Sequence, residues 1–226
     1  VNLEEAFEYL NFWINKKTGS WYTISELEML ADRGQMSYYS DIKPQYSRSL
    51  LIREILSPFK AEYSATPSNT VSGYIVLPSN SNYLDLLDIQ IQYQISNTIV
   101  YYGVPVVAED ERSIRLNSQV DPVTVTSPIA EIIAPRYIKI WPQSGYTGTV
   151  TYLRRPAKPV FGYNLISDRV VVYDPNTSTQ LEWRETEINA VLLKALISIG
   201  INLTDEEIQN YAQIKTNDNW VGQNRI

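Results

Sequence analysis

Apolar positions along the chain change period twice. Over residues 1–60 they recur at helical spacing: Leu3, Phe7, Leu10 and Ile14 share one face, with Glu4, Glu5 and Glu8 in the opening turns. Carboxylates there suit the positive end of the helix dipole. Gly19, just after Lys16 and Lys17, predicts the stop. "TISELEMLADRG" offers Thr23 and Ser25 as caps, each with a Glu three residues on, and predicts a second helix ending at Gly34. "KPQYSRSLLIREILSPF" predicts a third, opened by Pro44, stacking Leu50, Leu51, Ile55 and Leu56 and stopping before Pro58.

From 61 to 177 the period falls to two. "VSGYIVL", "LDIQIQYQI", "NTIVYY", "VPVVAED", "SIRL", "QVDPVTVTS", "AEIIAP", "YIKIW", "TVTYLRR" and "RVVVYD" are short, rich in β-branched residues and Tyr, and separated by turn formers. Such spacing predicts an antiparallel sandwich or barrel. In "LDIQIQYQI", Leu87, Ile89, Ile91, Tyr93 and Ile95 point one way while Asp88, Gln90, Gln92 and Gln94 point the other. That strand has one dry face and one amide face.

After 177 the helical period returns. "LEWRETEINAVLLKALISIG" carries Ile188, Val191, Leu192, Ala195, Leu196 and Ile199 as a wide stripe closed by Gly200. A capping box from Thr204 to Glu207 opens "LTDEEIQNYAQIK", and "TNDNWVGQNRI" follows with no period, as a tail that frays or lies on a neighbour. The order helices, strands, helices predicts an α+β fold. Residues 1–60 and 178–226 form a discontinuous helical body whose zones pack together, and residues 61–177 form an inserted antiparallel β sandwich or barrel. The stripe at 181–200 is too apolar to stand without helical partners.

Composition then narrows the chemistry. The chain holds neither Cys nor His, which excludes a thiolate nucleophile, a disulfide, a zinc-thiolate site and an imidazole base. No nucleophile elbow, phosphate loop, dinucleotide fingerprint or calcium loop occurs, so a non-enzymatic role without catalytic residues, metal or cofactor is expected. A net charge of −6 opposes tight binding of duplex DNA but lets it slide past. No apolar run reaches the roughly 20 residues of a membrane span. The acidic start differs from a signal peptide, so a soluble chain made in the cytoplasm is expected. Seventeen Tyr and five Trp against four Phe suit surfaces that meet other surfaces, and equally suit a β-rich fold.

"TYLRRPAKPVFGY", residues 151–163, stands out. Proline fixes its own φ and biases the residue before it toward extended backbone, so a semi-rigid arm carrying Arg154, Arg155 and Lys158 is expected, flanked by Phe161 and Tyr163. It hands the chain back to the helical zone. Its guanidinium groups either dock on a partner or are solvated arginines at a sheet edge. Asp168, Arg169 and Asp174, and Glu109, Asp110 and Glu111 before Arg112, are expected as turn residues rather than carboxylate pairs. Trp21, Tyr22 and Trp220 sit in loop-like company as sugar platforms or subunit anchors. Partial burial against the protein's own helices is the expectation for Trp21 and a weaker one for Trp220.

The layout resembles tailed-bacteriophage head-to-tail connector and ring proteins of podovirus-like and crAss-like phages. The likeness rests on the amphipathic N-terminal helix, the strand and arm at 151–163, "LEW" at 181–183, and the helix at 186–200 followed by "IGINLTDEEIQNYAQIK". The resemblance implies a structural virion protein, made in the bacterial host, whose helices form a ring body. Copies, expected as a dodecamer, would surround the DNA channel and meet portal, ring, tail or fibre proteins. Interface candidates are Arg154, Arg155, Lys158, Phe161, Tyr163, Trp220 and Arg225. A binding module whose β sandwich recognises a glycan or cell-surface ligand is the alternative.

Overall fold

The computed structural model describes residues 2–65, 74–95, 98–134, 136–143, 146–167, 170–204 and 207. It is an α+β fold that divides into two compact units, Leu56–Arg155 and a discontinuous one of Val1–Ile55 with Pro156–Ile226.

In the discontinuous unit, helix α1 spans Leu3–Thr18. Asn2 accepts from the Glu5 N–H at 2.8 Å while Glu5 reaches back to the Asn2 N–H at 3.2 Å. Gly19, at φ 70°, ends it. Helix α2, Ile24–Ile42, starts from the predicted Thr23–Glu26 box but runs through Gly34 instead of stopping there. Gly34 is a packing residue: a Cβ on it would lie 2.6 Å from the Val191 carbonyl oxygen and 2.7 Å from the Ala195 Cβ. Both belong to helix α5, Glu185–Ser198, which packs along α2 and also meets α1. The Tyr38 hydroxyl donates to the Glu187 carboxylate and ties α2 to α5 again. Burial, and then that carboxylate, raise the Tyr38 pKa. The predicted stripe on α5 is buried at Ile188, Val191, Leu192, Ala195 and Leu196. Thr204 and Glu207 exchange the predicted capping bonds at 3.1 and 3.4 Å, and Lys17 holds Glu207 at 2.5 Å.

The third predicted helix is only partly helical. Pro44 sits in a 3₁₀ turn, Lys43–Gln45, and helix α3 covers just Leu50–Ile55. Ile52 and Ile55 are buried, whereas Leu50 and Leu51 are 80% and 63% exposed.

The unit Leu56–Arg155 is a sandwich of antiparallel sheets. Strands β1 (Lys60–Ala65), β3 (Tyr83–Ile95), β4 (Thr98–Gly103) and β7 (Tyr146–Arg154) form one sheet in the order β1-β7-β3-β4. Strands β2 (Tyr74–Val76), β5 (Ile129–Ala134) and β6 (Tyr137–Trp141) form the other, in the order β2-β6-β5. Ile89, Ile91, Val150 and Tyr152 of the first meet Ile75, Ala130, Ile138 and Ile140 of the second in one core. The dry face of β3 is as predicted at Ile89 and Ile91. A register irregularity between Leu86 and Asp88 interrupts the alternation, and Leu86 packs against the core.

Three predicted strands are absent. "VPVVAED" makes only an isolated bridge between Val106 and Ala130. "SIRL" lies in helix α4, Glu109–Asn117, because Glu109, Asp110 and Glu111 occupy a first turn that favours negative charge. Arg112 then reaches Glu131 at 2.6 Å and Glu109 at 3.4 Å. "QVDPVTVTS" makes a tight turn in which Thr124 and Ser127 exchange backbone bonds, and Val120 is 97% exposed. Its alternation meets no second sheet.

The return to the helical unit comes at Pro156, not at 178. Strands β8 (Tyr163–Ser167) and β9 (Val170–Tyr173) form a hairpin that belongs with the helices. Phe161, just before β8, stacks on Phe7 of α1 at 5.3 Å and tilts against Tyr173 at 4.9 Å.

Tyr146 carries a buried hydroxyl with no hydrogen-bond partner among the described residues, and burial pushes its phenol up to about 12. Tyr146→Phe removes an unsatisfied polar group at almost constant shape. It is expected to stabilise the sandwich by about 1 kcal/mol in urea unfolding. The folded phenol titrates above the ordinary 10.0, so wild-type stability present below pH 10 declines as pH rises toward 12. The Phe variant should lose less over that window; equal losses would assign the decline to other groups.

Candidate functional site

The basic arm is stitched down along most of its length. Arg154 spends its guanidinium inside its own unit, donating to the Pro58 carbonyl at 3.1 Å and lying 5.8 Å from the Phe59 ring centre. Arg155 donates its N–H to the Asn82 carbonyl at 2.7 Å and leaves its side chain exposed. In the helical unit, Ala157 donates to Glu182 at 2.7 Å and accepts from the buried Gln35 at 2.9 Å. Val160 and Thr179 exchange backbone bonds, Phe161 donates to Glu28 at 2.8 Å, and Gly162 donates to the Ser178 hydroxyl at 2.9 Å. Pro156 and Pro159 are buried and Lys158 is exposed between them.

A segment whose N–H groups are bonded at 157, 160, 161 and 162 is a strap held to the 178–182 segment and to α2 of its own unit. The expected semi-rigid arm is held by these bonds as well as by its prolines. Of the interface candidates, Arg154, Arg155 and Phe161 are engaged within the protein, and the residues exposed are Arg155, Lys158 and Tyr163. Trp220 and Arg225 lie outside the described residues. Gly162 lets the strap approach the 177–178 backbone: a Cβ there would fall 2.1 Å from the Thr177 hydroxyl oxygen and 2.6 Å from its carbonyl carbon.

Beside the strap, the helical unit holds a cleft of about 440 Å³. Phe7, Phe12, Leu27 and Phe161 make its apolar part, with Glu4, Glu8 and Asn11 along α1 and Trp21 from the loop before α2. Partial burial is the expectation for Trp21, yet it is 72% exposed, at the rim of the cleft. Asn11 accepts from the Tyr22 N–H at 3.3 Å and fixes that loop. The sequence signal for this cleft is the run Glu4, Glu8, Asn11 and Phe12, spaced along one side of a helix. Assigning Glu4 and Glu8 only to the helix dipole passes over it.

Of the carboxylates expected in turns, Asp174 is a turn residue, whereas Glu109, Asp110 and Glu111 lie in helix α4. Asp174 accepts from the Asn176 N–H at 2.9 Å, and that bond, ahead of its other partners, holds its carboxyl below the ordinary value. Asp168 and Arg169 lie outside the described residues. Glu109 and Glu111 belong to the first turn of α4. Among the described residues no group of three or more acidic side chains is placed to hold a metal ion.

No protein-family model matches the chain, and no curated protein matches it in sequence.

Proposed function

We propose that this chain is a structural subunit of a tailed phage. Copies close into a symmetric ring in the head-to-tail connector, neck or tail hub, around the passing DNA and against neighbouring ring, tail or fibre proteins. The observation that carries this reading is the placement of large apolar side chains on the outside of regular elements. Ile99 and Tyr101 on β4, Leu50 and Leu51 on α3, and Ile114 on α4 are all exposed. Side chains of this kind, held on rigid strands and helices, suit subunit contacts. A body built from both parts of the helical unit, with the sandwich inserted between them, agrees with the layout that suggested a ring protein. The acidic balance of the chain suits a channel that DNA crosses without sticking.

The test is the native mass of the purified chain over a range of concentrations, followed by negative-stain class averages. Large particles with a defined rotational symmetry are the expected result. A monomer up to the highest soluble concentration would count against a self-assembling ring.

One observation favours the second reading, a glycan-binding module. Trp21 is exposed beside Asn11, Glu4 and Glu8, an aromatic plate next to hydrogen-bonding groups. This cleft lies on the helical unit rather than on the β sandwich. Quenching or a shift of Trp fluorescence on adding oligosaccharides, lost in Trp21→Ala, is what that reading requires.

A further inference from the structure

Among the described residues the four-stranded sheet ends in two open edges, β4 on one side and β1 on the other. The Val104 N–H donates to the Ile89 carbonyl at 2.8 Å, and the β3–β4 register continues without a shift. In an antiparallel ladder the N–H and C=O of one residue point to the same side, alternating along the strand. The backbone groups of Val100 and Tyr102 therefore face β3, and those of Ile99, Tyr101 and Gly103 face outward. On the other side, the Arg155 N–H donates to the Asn82 carbonyl, so Tyr152, Val150 and Gly148 turn theirs toward β1. Their partners Ala61, Tyr63 and Ala65 face inward. Lys60, Glu62 and Ser64 face outward. Each edge thus offers three residues with donors and acceptors turned away from the sheet, and in each strand these same residues are exposed.

We propose that the β4 edge of one copy takes the β1 edge of the next, joining copies head to tail into one continuous sheet. This rests on the ring reading and names the surface that makes the ring. All three neighbouring pairs in the sheet are antiparallel, so β4 and β1 run in opposite directions. A second copy brought up in the same orientation therefore presents β1 antiparallel to β4. Both strands are six residues long, so they overlap without overhang. Ile99, Tyr101 and Gly103 then bond Ser64, Glu62 and Lys60 of the next copy, and Val100 sits opposite its Tyr63, an aromatic against a β-branched side chain.

Charge agrees with this joint. Strand β4 has no ionisable side chain other than its tyrosines, and on β1 Lys60 and Glu62 already pair at 3.4 Å. No like charges are opposed. The β4 edge lacks the lysine, proline or bulge that blunts an open edge against pairing. A β4 to β4 joint would stop at two copies and leave β1 open, whereas β4 to β1 repeats and closes where the rotation allows.

The natural absence of cysteine makes the test clean. In the proposed register Val100 and Tyr63 of the next copy form a pair without mutual backbone bonds, with Cα atoms about 4.5 Å apart and within disulfide reach. Within one chain the same residues are three strands apart, roughly 14 Å, and cannot bridge. Tyr63→Cys with Val100→Cys, oxidised in the full chain, is expected to give a ladder of covalent dimers, trimers and larger species on a non-reducing gel. Neither single variant should give it. Tyr101→Pro removes an N–H that bonds nothing inside the sheet, and should leave a folded protein by circular dichroism that no longer assembles.

Dimers alone, formed by Val100→Cys by itself, would overturn the head-to-tail joint in favour of a two-fold one. Rings seen by native mass without a ladder would overturn this edge and leave the ring reading standing. A monomer at every concentration with no ladder would end both.

Discussion

Trp13→Ala is expected to cost the helical unit about 4 kcal/mol, the range for emptying a large aromatic site in a packed core. Trp13 has no solvent exposure on α1, between Leu10 and Ile14, which are equally buried. Its ring meets Phe12 edge-on at 5.1 Å and Tyr9 at 6.4 Å, and Lys16 lies 4.7 Å from its centre. Those neighbours sit on the same helix, so they cannot move in to fill the space without unwinding α1. Partial collapse is therefore limited and the cavity term stays large. Urea unfolding followed by far-ultraviolet dichroism at 222 nm, a standard helix wavelength, checks this. A loss below about 1 kcal/mol would mean that α1 is not seated on its partners as described.

Gly34→Ala is the second large effect, and its sign is the informative part. In an exposed helix interior alanine is better than glycine by about 1 kcal/mol. At Gly34 the added methyl would meet the Val191 carbonyl oxygen at 2.6 Å and the Ala195 Cβ at 2.7 Å. These belong to the backbone and first side-chain carbon of α5, which no rotamer change can withdraw. The two helices must separate, and overpacking of this kind costs about 1–3 kcal/mol. A net loss of about 2 kcal/mol is expected in the same urea experiment. A gain would show that α2 and α5 stand further apart than the structure has them.

Much of the fold was legible one segment at a time. The capping pairs Thr23–Glu26 and Thr204–Glu207, the stop at Gly19 and the dry face through Ile89 and Ile91 depend on residues within a turn or two of each other. Local physics specifies them. The same local signals misled where a distant partner intervened. Gly34 looks like a helix stop, and is one only if nothing packs against it; α5, some 150 residues away in sequence, makes its missing side chain a requirement. "SIRL" alternates like a strand, yet the acidic turn before it and the Arg112–Glu131 bond settle it as a helix.

The strap at 156–163 shows the same limit for the candidate site. Prolines and arginines in a row announce a stiff basic segment, and the structure ties 157–162 into a hydrogen-bonded strap. What each residue touches was not readable, because Glu28 and Gln35 come from α2 and Ser178 and Glu182 from the segment before α5. The cleft beside Trp21 was missed for a related reason: its walls are drawn from α1, α2 and the strap together.

By itself the sequence determined the chemistry that is excluded, the alternation of helical and extended zones, most caps and the identity of the dry strand faces. Each is set by composition or by periodicity over a few residues. The tertiary structure alone decided that Gly34 is a helix contact rather than a stop, where the chain re-enters its helical body, and which two strands end the four-stranded sheet among the described residues. Those outcomes depend on burial and pairing between segments far apart along the chain, where a residue's energy is set by neighbours that its own segment does not contain.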